Sequence, residues 1–251
     1  MTVAVLCDIH GNLPALNAVL RELRNARVDR VVVGGDVVPG PMCVEVLARL
    51  QDLDMPTAFI RGNGEVAVSA QRRGETPPGV PKQYLPMIEW VAQQLEDEQA
   101  QFIATWPMTM SLSIEGFGDV LFCHSTPRNE FEIFLPTTAE ENLLPVFSGV
   151  KESMVVCGHT HMQFDRMVGR HRVVNAGSVG MPFGPSGADW LLLGPGVELR
   201  HTNYDLAAAA SVVRETGYPE AESFASDYIL NPPSAEKMIE LFTPAELKWD
   251  G

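Results

Sequence analysis

The strongest constraint on the fold is an alternation of short apolar runs with helical patterning along the first quarter of the chain. The runs lie at 2–7 (TVAVLC), 30–34 (RVVVG) and 57–61 (TAFIR). Between the first two, Leu13, Leu16, Val19, Leu20 and Leu23 share one face of a helix predicted over 13–26. Asn12 and Pro14 are residues suited to starting that helix. A second helix is predicted over 42–53. A β-α-β-α-β order gives parallel strands with helices packed outside them.

The pattern then changes. A proline-rich loop over 75–86 precedes one helix over 87–105, and the segment 75–107 reads as a cap insertion. Beyond it the chain turns to β structure. A hairpin is predicted from 109–114 and 119–123 around Gly116–Gly118, with further strands at 153–157, 163–168, 171–175, 189–193 and 197–202. Helices resume over 205–216, 219–229 and 235–242, so residues 204–251 form a helical extension. The expected organisation is a single domain over 1–251 with two packed sheets and helices outside.

Composition narrows the class of partner. A formal net charge of −14 repels nucleic-acid phosphates, so non-specific DNA or RNA binding is not expected. A small phosphorylated substrate stays compatible, because bound cations reverse the local field. The four cysteines, Cys7, Cys43, Cys123 and Cys157, form no CxxC pair and read as buried thiols in a reducing compartment. The N-terminus lacks the basic region and long apolar run of a signal peptide, and no stretch reaches the length of a membrane span. The expected location is the cytoplasm; the oligomeric state is not legible.

Chemistry-bearing residues recur where apolar runs end. Asp8 and His10 follow the first run, Asp36 the second and Asn63 the third. Loops after parallel strands gather at one sheet edge, where ligand crevices form. In the β-rich half, His124 ends DVLFC, and His159 and His161 follow MVVCG. Alternate residues of an extended chain point opposite ways, so His159 and His161 need loop geometry to reach one centre. Two Asp, one Asn and four His are too many donors for one tetrahedral ion and suit two ions sharing a carboxylate. Oxygen and imidazole donors without thiolate suit Mn, Fe, Zn or Ni.

The segments DIHGN, GGD, GNGE, CHS and GHTH, in this order, resemble the calcineurin-like metallophosphoesterases over about residues 1–203. The resemblance implies a four-layer α/β/β/α sandwich of two mixed sheets with metals at the sheet edges. It implies that Asp8, His10, Asp36 and His161 hold one divalent ion and that Asp36, Asn63, His124 and His159 hold the other, with manganese the leading choice. Asp36 would bridge, and a hydroxide between the ions would attack phosphorus; Asp36, Asn63 and His124 are the expected catalytic residues. The implied activity is phosphodiester hydrolysis of a small substrate. Alternatives are a phosphatase for phosphoproteins or dinucleoside polyphosphates, and a non-catalytic scaffold of the same fold. A scaffold would show loss of metal ligands, and none is missing.

One departure from the family pattern stands out. Many members carry a histidine directly after the asparagine, where it protonates the leaving oxygen or steadies the phosphate; this chain has Gly64. General acid catalysis is worth about 10²–10⁴-fold, so activated diesters or anhydrides are favoured over alkyl monoesters. Arg128 is the expected phosphate contact, with a surface ion pair as its alternative. Asn12 reads as a helix cap or as a partner orienting a ligand, and Glu65 as a helix-start carboxylate or an anchor of hydrogen bonds. Ser125 and Thr126 read as turn caps, His171 and His201 as structural, and Asn175–Gly180 as either an ordinary connection or a support for the metal edge.

Overall fold

The structure, a computed structural model, describes residues 1–248. Its strands are β1 (Val3–Leu6), β2 (Arg30–Val33), β3 (Thr57–Phe59), β4 (Thr109–Ile114), β5 (Gly118–Cys123), β6 (Met154–Cys157), β7 (Phe164–Val168), β8 (His171–Asn175), β9 (Ala188–Leu193) and β10 (Val197–Thr202). They form two five-stranded mixed sheets, ordered β10-β9-β1-β2-β3 and β4-β5-β6-β8-β7. The pairs β1–β2 and β2–β3 are parallel, as the β-α-β-α-β order predicts.

Strand alternation explains the layering. Val3, Val5, Val32, Leu191 and Leu193 of the first sheet meet Val120, Phe122, Met154, Val156 and Val174 of the second in an inter-sheet core. The intervening residues Ala4, Leu6, Val31, Val33 and Trp190 face the opposite way. They pack under α1 (Leu13–Leu23), α2 (Cys43–Gln51) and α3 (Asn63–Arg72). The helices α4 (Leu85–Gln94) and α5 (Asp97–Ala104) join the same outer layer. On the far side, Val155 and Val173 meet α6 (Glu140–Phe147), whose Leu143, Val146 and Phe147 are buried. These layers make the expected α/β/β/α sandwich. No helix of the described residues is long and apolar enough to cross a membrane.

Three differences from the sequence reading have local causes. The helix expected over 87–105 is two helices, because Leu95 turns extended (ψ 131°) and Glu96 starts a new helix in a reciprocal cap with Gln99. Arg72 donates to the carbonyls of Ala92 and Leu95 at that break, both at 2.7 Å. The helix α6 was not foreseen; it is short and carries Pro145 inside it. The expected helix at 219–229 is a short α8 (Ala221–Ser223) that widens into a π-helical turn over Phe224–Leu230. It packs on α7 (Leu206–Arg214), and α9 (Ala235–Phe242) follows.

Candidate metal centre

The carboxyl ends of β1, β2, β5 and β6 converge where the two sheets adjoin, and the loop after β3 reaches the same place. Backbone bonds lock the loops together: Asp8 N–H donates to Gly35 O (3.0 Å), His10 N–H to Asp36 O (2.9 Å) and Gly158 N–H to His124 O (2.8 Å). Two groups of donors result, Asp8–His10–His161 and Asp36–His124–His159, the ligand atoms of each lying within 4.8 Å of one another. Asn63 joins the second group, its Oδ1 3.1 Å from His124 Nε2. All seven residues singled out from the sequence therefore meet.

Backbone conformation delivers them. Asp8, His10, Asp36, His159 and His161 all have positive φ, between 46° and 71°; among non-glycine described residues only Arg27 shares that conformation. Left-handed backbone costs about 1–3 kcal/mol per residue and clusters at functional sites. It resolves the His159/His161 difficulty: with both residues left-handed, the loop brings alternate side chains to one centre. Gly158 serves by smallness instead of by turning. A Cβ on it would lie 2.5 Å from Asp8 Oδ2 and 2.6 Å from Cys7 Cβ.

The donor chemistry fits cations. His10, His161 and His124 each place Nδ1 against a backbone carbonyl, of Pro39 (3.1 Å), Met181 (2.9 Å) and Gly34 (2.9 Å). Each Nδ1–H donates there, which aims Nε2 into the centre, where the neutral imidazole offers its lone pair. His10 Nε2 and His161 Nε2 then face each other at 3.2 Å, and His124 Nε2 faces His159 Nδ1 at 3.2 Å. Facing lone pairs repel unless a cation or proton lies between them. Asp8 Oδ1 is fully buried with no hydrogen-bond partner, although Oδ2 accepts from His159 N–H at 2.9 Å. An orphaned carboxylate oxygen among lone pairs is the arrangement a metal ion satisfies.

Electrostatics agree. Burial opposes charge on Asp36, yet the imidazoles of His124 and His10 hold its carboxyl well below the usual range. Burial likewise opposes charge on His124, but Asp36 (3.5 Å) and Asp8 raise its pKa to about 10. Burial and the charge of His124 lower His159 to about 4, so it offers a neutral nitrogen.

Glu65 organises the loop edge. Its buried carboxylate accepts four amide bonds: Oε1 from Val37 (2.8 Å) and Val38 (3.1 Å), Oε2 from Asp36 (2.9 Å) and Gly62 (2.6 Å). Both sequence readings of Glu65 hold, since it also sits in the first turn of α3. Asn12 is likewise both a cap, accepting from Ala15 N–H at 3.1 Å, and a brace, donating to Gly180 O at 2.9 Å. The Asn175–Gly180 segment does support the metal edge. Asn175 donates to Gly158 O (2.6 Å), and Ser178 Oγ donates to Asp8 O (2.8 Å).

Gly64 is closed to any side chain. Its N–H donates to Asp36 Oδ1 (2.7 Å), and a Cβ there would lie 1.9 Å from Val38 O. Arg128 pairs with Glu132 (2.7 Å) and does not line the neighbouring cavity; Arg61 pairs with Glu130 at 2.8 Å. Thr126 bonds the Asn129 carbonyl and Ser125 the Glu132 carbonyl, as turn caps do. His171 bonds Glu152 O (2.8 Å) and His201 pairs with Asp189 (2.7 Å), both structural roles.

A cavity of about 650 Å³ opens over the centre. His10, Asp36, Asn63, His159 and His161 form its floor. Its walls come from residues 79–88 of the cap segment and from Tyr218, Tyr228 and Phe242 of the C-terminal extension. The sequence points to the cap and C-terminal segments as shapers of a pocket but does not single out these wall residues, since solitary aromatic residues carry no spacing signal, nor Pro39 and Met181, which act through backbone carbonyls.

A four-layer sandwich with carboxylate, amide and imidazole donors at adjoining sheet edges is the architecture of a metallophosphoesterase. Residues 1–193 match the calcineurin-like phosphoesterase superfamily domain, and the chain belongs to that family. An uncharacterized protein of Methanocaldococcus jannaschii is 25% identical over 244 residues, spanning 87% of this chain and 94% of its own. The fold is similar to the crystal structure of a hypothetical protein from Pyrococcus horikoshii OT3, with TM-score 0.75 and 21% identity over 93% of this chain and 99% of that one. It is also similar to a metallophosphoesterase from Sphaerobacter thermophilus, with TM-score 0.70 and 24% identity over 90% and 97% of the two chains.

Three outcomes are expected. Glu65→Ala strands four buried amides, at about 1–3 kcal/mol for each left unsatisfied, and loosens the Asp36 loop. Urea denaturation should register a loss of at least about 3 kcal/mol, and metal titration a ~10–100-fold weaker affinity. Gly64→Ala should destabilise the fold by more than the few tenths of a kcal/mol usual at a permissive site, because Val38 O must move. Manganese added to metal-free protein at pH 7 should release protons. With a pKa of about 10, His124 is protonated there, and its Nε2 must lose that proton to become a ligand. Apparent affinity should rise with pH up to about 10; a pH-independent affinity would contradict this assignment.

Proposed function

We propose that the chain is a dinuclear metal-dependent phosphodiesterase acting on small activated esters. The observation that carries this is the position of Asp36. Its Oδ2 lies 3.7 Å from His10 Nε2 in the first donor group, and its Oδ1 lies 3.5 Å from His124 Nε2 in the second. One carboxylate thus reaches both groups, as a bridge must. Asp8, His10 and His161 with Asp36 would hold one ion; Asn63, His124 and His159 with Asp36 would hold the other.

When bound, two divalent ions supply Lewis acidity, lowering the pKa of a water nucleophile and neutralising charge on the phosphate oxygens. Manganese is the leading choice. The protein's own contribution is orientation. Asp36 is held through Glu65, Asn63 offers its amide beside the phosphate position, and His124 is fixed by Gly34 O. With Gly64 barred from carrying a side chain, no imidazole occupies the leaving-group side of Asn63. The leaving oxygen must depart without that proton donor, which favours phenolates and similar stabilised anions. The four free, buried cysteines support a reducing compartment, and we place the chain in the cytoplasm.

Metal analysis and a phosphoester panel with manganese test the reading. Wild-type protein should bind two equivalents and hydrolyse bis(p-nitrophenyl) phosphate faster than an alkyl monoester. Asp36→Ala should retain less than one equivalent and lose roughly 10³-fold or more in kcat/KM, as expected when Lewis-acid stabilisation is removed. Full activity in that variant, or faster hydrolysis of the alkyl monoester, overturns the proposal.

A further inference from the structure

The cavity is built from two chemically distinct halves. Its floor is the metal centre. Its wall brings together Tyr84, Tyr218, Phe224 and Tyr228 with the carboxylates of Glu220 and Asp227. No lysine or arginine lines the cavity among the described residues. A pocket for a polyphosphate or a second anionic group would carry such cations, because phosphate recognition away from a metal relies on arginine, lysine or helix N-termini.

The aromatic wall is ordered. Trp90 meets Tyr218 edge-on at 5.5 Å, Tyr218 meets Phe224 at 6.3 Å with planes 90° apart, and Phe224 meets Tyr228 at 6.0 Å. Tyr218 is only 6% exposed, and no hydrogen bond from another described residue reaches its phenol oxygen, although it lines the cavity. Its ring is packed while its phenol oxygen is open to the cavity, free to meet whatever enters. The carboxylates beside it lack cationic partners too. Glu220 accepts only from Ser223 Oγ (3.1 Å) and Asp227 from Ser226 Oγ (2.7 Å), and neither forms an ion pair with a described residue. Burial together with the charges of nearby Tyr84 and Asp227 raises the Tyr228 phenol, so the ring wall and the acidic rim are close enough to sense each other and Tyr228 stays neutral.

Aromatic faces beside unpaired carboxylates, with basic residues excluded, are a receptor for an organic cation. We propose that the substrate is a phosphodiester with an ammonium-bearing alcohol on one ester arm, its phosphate over the metal centre and its cationic head against Tyr84, Tyr218, Tyr228, Glu220 and Asp227. This rests on the phosphodiesterase reading above for the phosphate half alone; the ammonium half stands on the wall. It also agrees with the overall charge of −14, which repels polyanionic substrates and leaves a zwitterion of no net charge unopposed.

Two measurements test it separately from the catalytic reading. With manganese-loaded protein, p-nitrophenyl phosphorylcholine and p-nitrophenyl ethyl phosphate share a leaving group and differ in the other arm. The choline ester should show a kcat/KM about tenfold higher, between the values expected of exposed and of fully desolvated cation–π sites, since Tyr218 is buried while Tyr84 and both carboxylates are exposed. In the E220Q/D227N double variant that ratio should fall toward one. Calorimetry on the whole chain as purified should show choline binding at least about tenfold tighter than its uncharged isostere 3,3-dimethylbutan-1-ol. Equal rates for the two esters and equal affinities for the two alcohols overturn the ammonium assignment while leaving phosphodiester hydrolysis standing. Preferential choline binding with no hydrolysis of either ester supports the wall and overturns the phosphodiesterase reading. Unchanged selectivity in E220Q/D227N overturns the role of the carboxylates.

Discussion

Two carboxylates buried at the junction of two sheets set the terms for everything around them. Asp8 is fully buried and Asp36 is 4% exposed, and isolated charges so placed are unstable without compensation. The protein supplies imidazoles that hold both carboxyls below their usual range, yet it leaves Asp8 Oδ1 with no donor. A hydroxyl or amide would satisfy that oxygen, yet Ser178 and Asn175 donate to the backbone carbonyls of Asp8 and Gly158 instead. An oxygen left without a close donor, with imidazole nitrogens aimed beside it, is suited to receiving a cation.

That demand propagates into the backbone. Five metal-centre residues hold left-handed φ values, and such strain persists only where surrounding bonds over-determine it. The bonds are present. Glu65 grips four amides across the Asp36 and Gly62 loops, Gly35 O and Asp36 O hold the Asp8–His10 turn, and Ser178 and Gly180 tie it to the second half of the chain. Aspartate and histidine are among the residues that tolerate this conformation best after glycine, which keeps the strain near the low end of its range. The residue types that ligate metal are thus also types the backbone geometry accepts, and ligand identity and loop shape support each other.

The legible part of this protein is the part where period and chemistry coincide. The apolar runs that became β1, β2, β3, β5 and β6 each end within a few residues of a ligand, so the edge location of Asp8, Asp36, Asn63, His124 and His159 followed from strand prediction. The illegible part is where shape depends on distant chain. The helix break at Leu95 rests on a Glu96–Gln99 cap and on Arg72 reaching from α3, neither of which disturbs apolar periodicity. Arg128 read as a phosphate contact from its position after His124; in the fold, Glu132 four residues on takes its guanidinium. The individual wall residues were illegible for the same reason, since Tyr218 and Tyr228 acquire meaning only once the C-terminal segment lies over the candidate metal centre.

Gly64 joins the two halves of the cavity. Its legible content was an absence, a missing imidazole. Its structural content is a close approach, with the Val38 carbonyl occupying the space a Cβ would need. A proton donor cannot be restored there by substitution without rebuilding the loop that Glu65 holds, and that loop carries Asp36. Selectivity must then come from elsewhere. With acid assistance barred at Asn63, the remaining way to favour one ester is to bind its non-reacting arm, because interactions remote from phosphorus can still lower the barrier. The residues free to do that line the wall of the cavity. They are aromatic and acidic, and they belong to the cap and C-terminal segments beside the candidate metal centre.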